Sequence, residues 1–216
     1  MFLCTDLDLL AFEPWLFRDA SFASQLLSSG TGNLAATSFS RGSGSFADDH
    51  VAANCIITLA GEVAGCYPIV AVVSDTALVV SSLHEGLFPE SGDPVPSPVG
   101  NGSGLAFVIR TFAPQRRIVS EVILSAAGVG KNPKLSADNI ILAPAIRHAA
   151  ALGSLQLVYS ALAAASSEPA GLSLRADYYE RLYRRALSRL TVQFDTNGDG
   201  LADLTRCLNI VNLVRD

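Results

Sequence analysis

The sequence predicts an α+β chain: a helical bundle made by the N-terminal and C-terminal helices, with a small antiparallel β domain inserted between them. Three observations lead there. Residues 67–83 alternate at period two or run as β-branched stretches, Ile69-Val70-Ala71-Val72-Val73 and Ala77-Leu78-Val79-Val80, around a polar Ser74-Asp75-Thr76 turn. The last third instead repeats its apolar residues every three or four positions, through Ile141, Ala145, Ala149, Leu152, Leu155, Tyr159 and Leu162. Between them, residues 86–104 hold Pro89, Pro94, Pro96 and Pro98 with five glycines, which predicts a long exposed loop.

Taken in order, residues 5–29 read as one or two short helices, capped by Thr5 or Asp6 and restarting after Pro14. Ser28 to Ser45 reads as a flexible Gly/Ser connector, and Asp48 to Ala60 as a helical turn or two. The hairpin follows, then a third strand over Leu105 to Phe112 and a fourth strand or short helix over Ile118 to Leu124. Ser136 and Asp138 can cap a helix that runs to about Ala165, with a kink or a start at Ala143 imposed by Pro144. A second helix from Leu174 to Val192, with a buried stripe of Leu174, Tyr178, Leu182, Ala186 and Leu190, returns antiparallel to it. The expected divisions are 1–60 (helical segment and connector), 61–125 (β domain), 126–194 (helical hairpin) and 195–216 (Asp-rich loop and tail).

Half of the 216 residues are apolar and 16% are charged, so disorder is excluded as the main state. A net charge of −5 leaves no global positive field, and any nucleic acid must be met locally. Asp6 and Asp8 interrupt the start where an export signal needs an apolar run, so none is expected. The stretch 149–165 is mostly alanine and falls short of about 18 strongly apolar residues, so a buried helix is expected there rather than a span. Cys4, Cys55, Cys66 and Cys207 form no CxxC pair and read as reduced core thiols.

The sharpest motif is Asp195-Thr-Asn197-Gly-Asp199-Gly-Leu201-Ala-Asp203, with oxygen-bearing side chains at calcium-loop spacing and Gly200 at the position of the sharp turn. Arg206 stands where an EF-hand has its bidentate glutamate. Two readings follow: a looser Ca2+ site using Asp195, Asn197, Asp199, Asp203 and the Leu201 carbonyl, or a polar turn held by Asx hydrogen bonds.

Arg175, Arg181, Arg184, Arg185 and Arg189 give the second long helix a basic side. That side is either a solvated face carrying ion pairs to Asp177 and Glu180, or a surface that meets an acidic neighbour or lines a nucleic-acid channel. Catalysis is not indicated, and no enzyme is expected. Ser125 to Asn132 lacks the first glycine and the Ser or Thr of a phosphate loop, and Ser103 is off-centre for a nucleophile elbow.

The C-terminal third carries a cadence: Ala143-Pro-Ala-Ile-Arg-His-Ala-Ala-Ala-Leu-Gly-Ser-Leu-Gln-Leu-Val-Tyr159, then Arg175-Ala-Asp-Tyr178-Tyr-Glu-Arg-Leu-Tyr183-Arg-Arg-Ala-Leu, then Phe194-Asp195-Thr-Asn-Gly-Asp-Gly. It resembles the head-to-tail adaptor (connector) proteins of tailed bacteriophages, which often carry AxxYxxxYxxAL-like spacing followed by an aspartate-rich loop and a C-terminal tail. The resemblance implies a structural protein of the virion neck, assembled in the host cytoplasm. It implies a homo-oligomeric ring, commonly a dodecamer, between the portal and the tail or neck proteins, with non-specific DNA contact in the lumen and no membrane. It assigns Leu208, Ile210, Val211, Leu213, Val214 and Arg215 to a portal-docking tail; the alternative is a last strand folded onto this chain's own β domain. The rival expectation is a monomeric calcium-stabilised binding module of α+β fold.

Overall fold

The computed structural model describes residues 1–89, 92–131 and 135–208. The chain forms two compact units, residues 9–112 and residues 1–8 with 113–216. Helices and strands are both present, so the class is α+β. The arrangement differs from the expected helical bundle with an inserted β domain, because the strands close into a six-stranded barrel and begin far earlier in the chain.

The barrel unit opens with the end of α1 (Asp6–Phe12) and the short α2 (Leu16–Asp19). Its strands are β1 (Leu26–Ala36), β2 (Ser38–Arg41), β3 (Ile56–Leu59), β4 (Gly65–Ser74), β5 (Ala77–Val80) and β6 (Gly100–Arg110). They pair antiparallel in the order β1-β2-β5-β4-β3-β6, and β6 returns to β1 from Leu26↔Arg110 to Ala36↔Gly100. The expected β4–β5 hairpin is present, with Ser74 opposite Ala77.

The expected connector at 28–45 is instead β1 and β2, and the reason lies in its glycines. A Cβ on Gly32 would stand 2.4 Å from Phe39 Cζ and 2.5 Å from the Ser40 carbonyl oxygen, so glycine is what lets the Phe39 ring lie over the strand. Phe39 and Phe46 meet Phe107 edge-on, at 5.1 and 6.0 Å between centroids, inside the barrel. Residues 48–60 are likewise a turn leading into β3, with Ile56, Ile57 and Leu59 buried. The third expected strand begins five positions early, because the 100–104 glycine run pairs with β1.

In the other unit, the expected strand-or-helix at 118–124 is helix α3 (Ala113–Ala126). α4 (Pro144–Ala165) begins on Pro144 with Ala143 as its cap, and α5 (Ala170–Leu187) packs on it. A three-stranded sheet, β7 (Ile140–Ile141), β8 (Thr191–Phe194) and β9 (Leu204–Cys207), lies in the order β7-β8-β9.

α4 is the centre of this unit. It is the one helix among the described residues long and apolar enough to cross a membrane, and half of its apolar window is buried within the fold. Ala149, Ala150, Ala151, Gly153, Ser154 and Leu155 are buried in succession, so the helix is covered on more than one side. Small side chains permit that approach: a Cβ on Gly153 would stand 2.8 Å from Val119 of α3 and 2.9 Å from the Tyr183 ring of α5.

The N-terminal segment packs into the same unit. Thr5 caps α1 through a reciprocal bond pair, in which the Thr5 N–H donates to Asp8 (2.7 Å) and the Asp8 N–H to the Thr5 hydroxyl (3.3 Å). Asp6, with 1% of its side chain exposed, pairs with Arg116 Nε at 3.1 Å, and Arg116 Nη1 donates to the Cys4 carbonyl at 3.0 Å. Cys4 lies 3.7 Å from the Ser154 hydroxyl, and burial pushes its thiol up to about 12. Of the four thiols expected in the core, Cys4 and Cys55 are buried, Cys66 is half-buried and Cys207 is exposed at the end of β9.

Two substitutions test this packing by chemical denaturation. Gly153→Ala overpacks the α3–α4–α5 contact and is expected to cost about 1–3 kcal/mol. Asp6→Ala leaves the Arg116 guanidinium buried without its carboxylate and is expected to cost about 3–5 kcal/mol.

Candidate functional site

The placement of α5 on α4 decides which of its side chains remain available. Ala176 and Tyr179 are buried, and Tyr179 stacks on Tyr159 at 5.7 Å with the rings nearly parallel. Tyr183 follows one turn later, its hydroxyl buried and its pKa raised by desolvation. The inward stripe is therefore Ala176, Tyr179 and Tyr183, which is the AxxYxxxY spacing itself. The expected stripe is corrected: Leu174 is 69% and Tyr178 51% exposed, Leu182 and Ala186 are half-buried, and Leu190 is buried beyond the helix end. Residues at 174 and 178 project opposite to those at 176, 179 and 183 on a 3.6-residue period.

Leu174, Tyr178, Arg181 and Arg185 follow one another at helical spacing and form a continuous outward stripe, apolar at its N-terminal half and cationic at its C-terminal half. The five arginines of the basic side are all exposed, but they are not equivalent. Arg175 donates to the Tyr159 hydroxyl at 3.0 Å and lies over that ring, so it belongs to the hairpin packing. Arg184 pairs with Glu180 one turn away. Arg181, Arg185 and Arg189 have no carboxylate partner among the described residues. No pairing joins Asp177 to Arg181.

The 195–203 loop joins β8 to β9. Its oxygens converge on its own backbone: Asp195 accepts from Gly198 N–H (2.6 Å) and Gly200 N–H (2.8 Å), Asn197 from Asp199 N–H, and Asp199 from Leu201 N–H. Asp203 accepts from the Thr196 and Asn197 N–H groups and the Thr196 hydroxyl. Gly198 and Gly200 stand at φ +81° and +84°, as the reversals demand. Asp195, Asn197, Asp199 and Asp203 are thus gathered in the Asx-turn manner, and among the described residues no three carboxylate, histidine or cysteine groups are gathered in a metal-holding cluster. The N–H groups of Gly200 and then Gly198 hold the Asp195 carboxyl below its ordinary pKa. Leu201, between two aspartates, is 70% exposed.

Of the assigned tail, only Leu208 is described: its N–H donates to the Leu190 carbonyl at 3.0 Å, continuing the β8–β9 ladder. Ile210, Val211, Leu213, Val214 and Arg215 lie outside the described residues. Sequence reasoning did not single out two further features. Ile118 and Val122 form an exposed apolar pair one turn apart on α3, each 52% exposed. An open depression of about 350 Å³ on the barrel is lined by residues 60–62 and 103–106, with Ser103 and Glu62 but no histidine. No family model matches the chain, and neither curated proteins nor solved structures yield a match.

The loop network carries a pH dependence of known sign. Asp195 has a depressed folded pKa, so its contribution is complete above the ordinary value near 3.8 and is lost as pH falls through the lower folded value. Hydrogen exchange at the Gly198 and Gly200 amides is expected to quicken relative to the β8 amides across that acidic window. Asp195→Asn is expected to produce the same loss at neutral pH.

Proposed function

We propose that this protein is a structural component of the virion neck of a tailed bacteriophage: an adaptor that assembles as a ring between the portal and the tail and continues the DNA channel. It acts by assembly rather than catalysis. It is made in the host cytoplasm, and its partners are further copies of itself, the portal protein and tail or neck proteins. The observation that carries this reading is the outward stripe of α5. A helix that turns its AxxYxxxY residues inward and leaves Leu174, Tyr178, Arg181 and Arg185 in solvent is built to be covered on its second face.

The tail residues from Leu208 to Arg215 are assigned to the portal on the resemblance alone. Arginines not used between copies are available to phosphates in the lumen, where sequence-independent contact suffices.

Light scattering on the purified protein, alone and mixed with the portal protein of the same genome, tests the proposal. The expected result is a closed assembly many protomers in mass, formed alone or on addition of portal. A monomer at all concentrations, indifferent to portal, would contradict it.

A further inference from the structure

We propose that the outward stripe of α5 receives the 195–204 loop of a second copy of this chain, in a head-to-tail contact. This inference rests on the ring reading above and names its interface. The stripe asks for a partner that is apolar at one point and acidic beside it: Leu174 and Tyr178 are exposed, and Arg181 and Arg185 follow on the same line with no carboxylate among the described residues. The loop supplies that chemistry. Leu201 is 70% and Leu204 37% exposed, and they alternate with the exposed carboxylates of Asp199 and Asp203. The loop is also shaped in advance by its internal bonds, so little ordering entropy is lost on docking.

The contact is made between copies because the apolar half of the stripe lies at the far end of the helical hairpin from the loop, while Arg181 and Arg185 stand toward the end of α5 that leads into β8. Asp195 is tied to Asn139, just before α4, by its N–H to the Asn139 carbonyl (2.7 Å) and by the Asn139 side chain to the Asp195 carbonyl (3.0 Å). Leu174 stands near the other end, one turn beyond the start of α5. α4, with its 22 residues, separates those ends by about 33 Å at 1.5 Å per residue. Each protomer therefore offers one loop and one stripe, on different parts of its surface. Such a heterologous contact propagates, and it closes into a ring when the rotation per copy divides a full turn.

Cysteine cross-linking distinguishes this arrangement from others. In a Cys207→Ser background, Leu174→Cys and Leu201→Cys together are expected to give a ladder of disulfide-linked multimers on mild oxidation, and either alone only monomer. A bond of this kind requires Cα atoms within about 7 Å, so the ladder reports direct juxtaposition. Separately, Leu201→Ser and the Arg181→Glu/Arg185→Glu pair are each expected to raise the concentration needed for assembly at least tenfold. Circular dichroism spectra should be unchanged, since the substituted side chains make no hydrogen bond or ion pair among the described residues.

If the parent protein assembles but no ladder forms and both variants assemble normally, this interface is wrong while the ring reading stands. Dimers from Leu174→Cys alone would show a symmetric stripe-to-stripe contact and overturn the proposal. A parent protein that stays monomeric with and without portal overturns both.

Discussion

The close packing around α4 is the constraint on which the helical unit depends. A helix buried through Ala149, Ala150, Ala151, Gly153 and Ser154 has almost no side-chain volume there to hold neighbours away. α3 and α5 can then approach its backbone from two sides, with Val119 and Tyr183 both against Gly153. The N-terminal segment adds a third contact through Cys4 and Ser154, fixed by the buried Asp6–Arg116 pair. Once tyrosines fill the space beside an alanine-rich helix, the rotation of α5 about its own axis is set. Its opposite face must then point outward, whatever residues it carries.

Much of the fold was legible because periodicity and burial agree in it. The β4–β5 hairpin, α4 and the antiparallel return of α5 follow from patterns of two and of three to four residues. The barrel was not legible, for a specific reason. Gly30 and Gly32 read locally as breakers, yet within β1 they make room for the rings of Phe107 and Phe39, which come from other strands. The partners of β1 and β3 in β6 are separated from them by long stretches of chain, so no local pattern carries the pairing.

The site was legible in its parts and misread in its orientation. The five arginines and the aspartate loop stood out by spacing. The apolar pattern of α5, however, contains two interleaved stripes, and counting leucines chose Leu174 and Tyr178 over Ala176 and Tyr179. Alanine is a weak hydrophobic signal but a strong packing one when the facing helix is itself built of alanine. In the loop, calcium-type spacing and Asx-turn spacing share the same residues, and the carboxylate bonds to the loop's own N–H groups belong to both arrangements. The AxxYxxxY spacing is the inward stripe of α5, so it reports a way of packing two helices.

The central claim is that the outward stripe of α5 is covered in the assembled protein. Hydroxyl-radical footprinting read by mass spectrometry measures this at the side chains themselves, on the dilute protein and on its assembly with portal. Leu174 and Tyr178 should be readily oxidised in the dilute protein and lose reactivity several-fold in the assembly, with Leu201 falling in parallel. Unchanged oxidation of Tyr178 in a mass-verified assembly would contradict the claim, and would return α5 to the role of a solvated face.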